Sequence, residues 1–217
     1  MIQEGISVVT TTWNERENIE ELVSAIHLVL CKYTHEIIVV DDNSSDGTFE
    51  VAKQFADVAV KKCREGQSKG LLSGMQLAKY SAVVTIDTDL ENDPKYIPQM
   101  LDLLYDSDLV VASRTDIPRF SEKLASKTLG RLLGVEDIFS NFRAFRKDVV
   151  SQFSLMGGET FGAEFLVVAK KKGMIVGELM YAPPARRRNP RIGGTLKANF
   201  RILWALARAF VLYLFQV

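Results

Sequence analysis

Between residues 6 and 114 this chain alternates short, uninterrupted Val/Ile-rich runs with amphipathic stretches. The runs are ISVVTTT (6–12), EIIVVD (36–41), DVAVKK (57–62), AVVTID (82–87) and DLVVAS (108–113). Between them lie helical patterns at 18–30, after the turn sequence SSDGT, at 68–78 and at 93–105, the last with Pro94 in a position suited to a first turn. A strand apolar at every position needs cover on both faces, and strands separated by helices run parallel. The expectation is therefore an α/β fold with a mostly parallel sheet between two helical layers. A length of 217 residues suits one such domain, or one domain with a short appendage.

Sheets of this kind bind ligands beyond the carboxyl ends of their strands. Thr12, Asn14 and Glu15 follow the first run, Asp41 and Asp42 the second, Asp87 and Asp89 the fourth, and Arg114 the fifth. Each alone could be a helix cap or turn former. Their convergence at one sheet edge is harder to explain that way. In TIDTDLENDP, Asp87, Asp89, Glu91 and Asp93 crowd the exit of an apolar run, so a positive partner is expected among them. Three readings are open: helix capping, with Asp93 before Pro94 a good cap; a general acid/base pair; or a divalent cation held by hard oxygen ligands. The strand-end position favours the cation, Mg²⁺ or Mn²⁺.

Other features exclude or narrow. Lys plus Arg and Asp plus Glu number 27 each, so no global field points to nucleic acid. Carboxylates dominate before residue 110 and basic side chains after it. Cys31 and Cys63 form no zinc-ligand spacing, and His27 and His35 have no nucleophile nearby in sequence. The first residues show no signal-peptide pattern. The most apolar segment, ILWALARAFVLYLF (202–215), is short for a membrane span and contains Arg208. After the fifth run, the pattern predicts a helix over 118–133, a strand and turn in SNFRAFRKDVV, a helix over 160–172 stopped by Gly173, a strand in MIVGELMYA, a Pro/Gly/Arg-rich loop, and a last helix from about residue 197.

Taken together, VVTTTWNERENI, VVDDNSSDGT, TIDTDLENDP, NFRAFRKDVV and FGAEFLVVAKKKG resemble glycosyltransferase family 2, and within it the dolichol-phosphate mannose synthases and related polyprenyl-phosphate glycosyltransferases. The resemblance runs over residues 6–197. It implies a GT-A (Rossmann-like) fold with a mixed, mostly parallel sheet and helices on both faces, followed by a C-terminal amphipathic helix. It also implies a GDP- or UDP-linked nucleotide-sugar donor, Mg²⁺ or Mn²⁺, inversion at the anomeric carbon, and a polyprenyl phosphate acceptor. By the match, Thr12, Trp13 and Glu15 meet the base and ribose, although Trp13 could instead cover the sheet edge. Asp42 reads a base N–H, while Asp41 caps the SSDGT turn. Gly66, Gln67 and Ser68 either approach the donor or simply start a helix. Asp89 is the firmest metal ligand, Glu91 adds a charge beside it, and Asp87 contacts sugar, ribose or the cation shell. Arg114 matches a phosphate contact, Arg143 and Arg146 match an arginine motif in which Asn141 replaces glycine, and Arg191, Gly194, Thr195 and Lys197 match a closure segment.

An ionised lipid phosphate needs no strong general base. Glu164 is then either a base or sugar contact, or a helix-surface carboxylate. Arg119, Lys123, Lys127 and Arg131 fall four apart, beside Phe120, Leu124, Leu129 and Leu132; the stripe is either a solvated face or a membrane-interface face. The division expected is a catalytic domain over 1–197 and an apolar helix over 198–217 that lies in the interface or packs on a partner chain, which allows a homo-oligomer. The expected location is cytoplasmic, peripheral at the cytosolic face of a membrane. A transferase acting on a soluble or polysaccharide acceptor, and a non-catalytic nucleotide-sugar-binding subunit, are the alternatives.

Overall fold

The structure, a computed structural model, describes residues 5–117, 119–150, 161–184 and 195–215. Along the chain run β1 (Ile6–Thr12), α1 (Arg16–Val29), β2 (His35–Asp41), α2 (Thr48–Phe55), β3 (Val58–Lys61), α3 (Gln67–Leu77), β4 (Ala82–Thr85), a 3₁₀ turn (Pro94–Tyr96), α4 (Ile97–Leu103) and β5 (Leu109–Arg114). Then follow α5 (Phe120–Ala125), a π turn (Ser126–Gly130), α6 (Arg131–Leu133), β6 (Arg143–Arg146), α7 (Lys147–Val150), α8 (Phe161–Lys171), β7 (Val176–Tyr181) and α9 (Thr195–Phe215).

The strands form one sheet in the order β3-β2-β1-β4-β6-β5-β7. All pairs are parallel except those of β6, which runs antiparallel between β4 and β5. Alternate residues of each strand point to opposite faces. Val8, Val39, Val84, Val110 and Ala144 pack with Ile19, Leu22, Val23 and Ile26 of α1 and with Ile97 and Met100 of α4. Val9, Ile38, Val40, Val83, Val111 and Phe145 pack on the other face, with Leu71 and Met75 of α3, Ala125 of α5, Phe165 of α8, and Leu206 and Ala209 of α9. The result is the expected mixed α/β sandwich, and α9 supplies part of its core.

Two close approaches seat α3. A Cβ on Gly74 would lie 2.3 Å from Val9 Cγ1, and one on Gly70 would lie 2.6 Å from Thr11 Cγ2. Only bare backbone lets this helix settle onto β1. The helix expected over 118–133 is interrupted instead. Thr128 Oγ1 donates back to Leu124 O (2.7 Å), offering the ladder a side-chain competitor, and the turn widens to a π form. Leu129 is consequently turned into the core rather than lying beside the basic stripe.

Arg143 has no exposed surface. Its guanidinium donates to Ser140 O (2.8 Å), Gly162 O (2.9 Å) and Ile138 O (3.0 Å). Burial lowers its pKa to about 9. Arg143 is thus a structural tie between the loop before β6 and the start of α8. Arg146 is exposed and paired with Asp148 (3.1 Å).

Candidate active site

The parallel register places the candidate residues at one edge. Thr12 of β1 lies opposite Asp41 of β2. β4 ends at Thr85, and the chain leaving it stays attached to β1 through Ile86 N to Val9 O (3.1 Å) and Thr88 Oγ1 to Thr11 O (3.3 Å). Because β6 is antiparallel, its start reaches the same edge, with Arg143 opposite Thr85. Asn141 then donates to Asp87 Oδ1 (3.4 Å). Asn141 carries a contact to the acidic motif that sequence reasoning missed, having registered it only as a replacement for glycine.

Asp87 is partly buried. Burial, and then the negative charge of Asp89, push its carboxyl up to about 7, against the opposing influence of Asn141 and Arg114. Gln67 Nε2 also donates to Asp87 Oδ1 (2.5 Å). Asp89 is exposed, and its Oδ1 accepts from Glu91 N (3.0 Å). Between them Leu90 takes a left-handed backbone (φ 61°), a conformation costly for a branched side chain. Asp93 is a cap: its Oδ1 accepts from Lys95 N (3.0 Å) ahead of Pro94.

Among the described residues no group of three His, Cys, Asp or Glu side chains surrounds a point suited to a metal ion. Mg²⁺ and Mn²⁺ at phosphate sites need only one or two carboxylates, the remaining ligands being phosphate oxygens and water. The oxygen donor set and the mutual repulsion of Asp87 and Asp89 fit such a cation.

At the β1–β2 end, Asp41 Oδ1 accepts from Ser44 N (2.9 Å), which caps the turn as expected. Asp41 Oδ2 and Thr12 Oγ1 are buried without a hydrogen-bond partner. Asp42 is almost wholly buried, and its oxygens accept from Glu65 N (2.8 Å) and Gly66 N (2.9 Å). Glu15 Oε2 accepts from Asn18 Nδ2 (2.7 Å) at the start of α1. Trp13 is 36% exposed, with the Arg64 guanidinium 3.5 Å from its ring centroid. Ser68 lies inside α3 rather than at its cap, where Gly66 stands.

Arg114 is not a bare cation. Its Nε donates to Asp137 (2.6 Å) and its Nη2 to Glu122 (3.4 Å), and Glu122 also binds Arg119 (2.9 Å). Burial works against the charge, but Asp137 and then Glu122 outweigh it and hold the group protonated. Asp137 and Glu122 belong to no motif, so only the fold reveals them. Glu164 is buried and ion-paired with Arg208 of α9 (3.2 Å), at the base of a groove walled by Trp204, Val211, Leu212 and Phe215. Arg191 and Gly194 lie outside the described residues, as does the Lys197 side chain.

Comparison with known proteins matches this architecture. The dolichol-phosphate mannosyltransferase of Pyrococcus furiosus is 31% identical over 94% of this chain and 64% of its own length. The dodecaprenyl-phosphate galacturonate synthase of Rhizobium johnstonii is 28% identical over 70% of this chain and 51% of its own. This chain therefore spans between about half and two thirds of the curated relatives it matches. Among solved structures, glucosyl-3-phosphoglycerate synthase from Mycobacterium tuberculosis, in complex with Mn²⁺, UDP and glucosyl-3-phosphoglycerate, superposes with a TM-score of 0.79 at 21% identity. That superposition covers 95% of this chain and 80% of the other. The same protein has also been crystallised with Mg²⁺ and UDP. The family described as glycosyl transferase family 2 matches residues 7–158, most of the chain, and the protein belongs to that family.

Proposed function

We propose that this chain transfers a hexose from a nucleoside-diphosphate sugar to a polyprenyl phosphate, with inversion at the anomeric carbon. The observation that carries the reading is the shared edge on which Thr12, Trp13, Asp42, Asp87, Asp89 and Arg114 meet. Asp89 and Asp87 would hold a divalent cation, with Glu91 beside them. Bound there, the cation would neutralise the diphosphate as a Lewis acid. Trp13 would stack on the base and Asp42 would read it. Arg114, oriented by Asp137 and Glu122, would offer positive charge to the diphosphate beside the acidic turn. The acceptor phosphate is already ionised near neutral pH, so no residue is assigned as a strong base, and Glu164 serves its ion pair with Arg208.

The lipid acceptor is supported by the named relatives and by the surface of α5 and α9. Phe120, Lys123 and Leu124 are exposed on α5, Lys127 on the π turn, and Arg131 follows on α6. Trp204, Val211, Leu214 and Phe215 are exposed on α9, which is joined to α5 by Ser121 Oγ to Asn199 Oδ1 (2.6 Å). Apolar side chains flanked by basic ones suit a peripheral seat on an anionic bilayer. No helix among the described residues is long and apolar enough to cross a membrane.

The test is incubation of the full chain with Mn²⁺, radiolabelled UDP- and GDP-hexoses and polyprenyl phosphate, followed by organic extraction. Metal-dependent label in the organic phase is expected with one donor. Label that reaches only water-soluble products would assign a soluble acceptor, and no transfer from any donor would overturn the reading.

A further inference from the structure

Four contacts place one short segment across the edge where the donor is proposed to bind. The Arg64 guanidinium stacks on Trp13 at 3.5 Å. The next two amides, Glu65 N and Gly66 N, occupy the Asp42 carboxylate. One residue further on, Gln67 holds Asp87 (2.5 Å). The segment is also tensioned from outside, because Glu65 pairs with Lys62 (2.9 Å) and Lys69 (3.2 Å). Gly66 has a left-handed φ of 90° with open space where a Cβ would stand, so the backbone can pivot there without a side chain to clear.

A separation of 3.5 Å is one stacking distance, so no planar ring fits between Arg64 and Trp13 as they stand. The guanidinium itself is flat, carries N–H donors and lies on an aromatic face, which are the features of a stacked base. We infer that Arg64 is a placeholder for the nucleobase. The 64–67 segment straps the crevice, and donor binding exchanges Arg64 for the base on this face of Trp13. The inference rests on the donor reading of this edge, and it assigns Arg64 a role in setting donor affinity, not in the transfer step.

The sign of one substitution separates this from an ordinary binding role. Removing a cation beside a diphosphate site should weaken anion binding. Removing a placeholder should strengthen it, because the stack no longer has to be broken. Arg64→Ala is therefore expected to bind the preferred nucleoside diphosphate about 2- to 5-fold more tightly in Mn²⁺, the equivalent of one exposed cation–π contact. Calorimetric titration of UDP and GDP into the wild type and the variant measures it. In the absence of nucleotide, and with Trp204→Phe as background, acrylamide should quench Trp13 more readily once Arg64 is removed. Unchanged or weaker nucleotide binding by Arg64→Ala, with wild-type binding intact, overturns the placeholder alone. Unchanged quenching overturns it as well. Failure of the wild type to bind either nucleotide overturns the donor reading and the placeholder with it.

Discussion

Asp87→Asn should make the protein more stable and less functional, and the gain should depend on pH. In the folded chain the Asp87 carboxyl is raised from an ordinary 3.8 to about 7, first by burial and then by Asp89. Unfolded, it ionises near its ordinary value. Between those pH values the folded state holds a proton that the unfolded state has lost, so stability falls as pH rises through the window and levels off above about 7. At 1.36 kcal/mol per pH unit the full rise corresponds to roughly 4 kcal/mol. Asparagine has nearly the same shape, keeps an oxygen to accept from Gln67, and never ionises. Its advantage over aspartate should therefore grow by about 2–3 kcal/mol between pH 5 and pH 8. Urea unfolding of both proteins at the two pH values, with EDTA present, gives the difference directly, and the other titrating groups cancel. Adding Mn²⁺ at pH 8 should stabilise the wild type more than the variant, which keeps Asp89 but loses one charge facing the cation. An advantage that is the same at both pH values within about 0.5 kcal/mol, the usual uncertainty of additive mutational comparisons, would show that Asp87 does not carry a raised carboxyl.

Asp89→Asn should abolish Mn²⁺-dependent nucleotide binding while the protein stays folded and, with the repulsion on Asp87 relieved, no less stable in urea; an unchanged metal-dependent affinity by calorimetry would remove Asp89 from the ligand set. Arg143→Met strips donors from Ser140 O, Gly162 O and Ile138 O, and at about 1–3 kcal/mol per buried acceptor it should cost at least about 3 kcal/mol in urea unfolding. A loss under about 1 kcal/mol, the net worth of a single hydrogen bond, would mean that the tie is dispensable. Gly74→Ala would gain about 1 kcal/mol of helix propensity in an exposed helix, but here its methyl meets Val9, so a net loss of about 1–3 kcal/mol is expected in thermal or urea unfolding, and a gain would refute the close seating of α3.

The parallel half of the sheet was legible because its strands are apolar on both faces and their helices carry a clear period. The acidic motif was legible for a related reason: charge at a strand exit conflicts with burial unless something requires it. The antiparallel insertion of β6 was not, since RAFR marks a strand without saying which neighbours it joins. Its buried Arg143 looks like a surface or ligand residue until the three carbonyls around it are seen. Asp137, Glu122 and Arg64 come from segments without a motif, and Asn141 from one that gave it no contact; their roles exist only through the approach of other elements. The π turn was invisible for a subtler reason, because a helical hydrophobic pattern is unchanged by one hydroxyl bonding back to the preceding turn.

The position of β6 has a kinetic meaning. β4 and β5 do not pair with each other; each waits for a strand that emerges later from the ribosome. A nascent chain that has released only its first 117 residues can assemble β3-β2-β1-β4, with a strand destined for full burial exposed along its outer edge. It also carries a β5 that has no neighbour at all until β6 and β7 arrive. Open apolar edges of this kind recruit other chains. Chains truncated between β5 and β6 should therefore aggregate rather than fold. In the complete protein, local opening of β6 should not be separable from global unfolding, so its amides should be among the last to exchange. A strand made sixth and inserted near the middle turns a sequentially built sheet into one that closes late and as a whole.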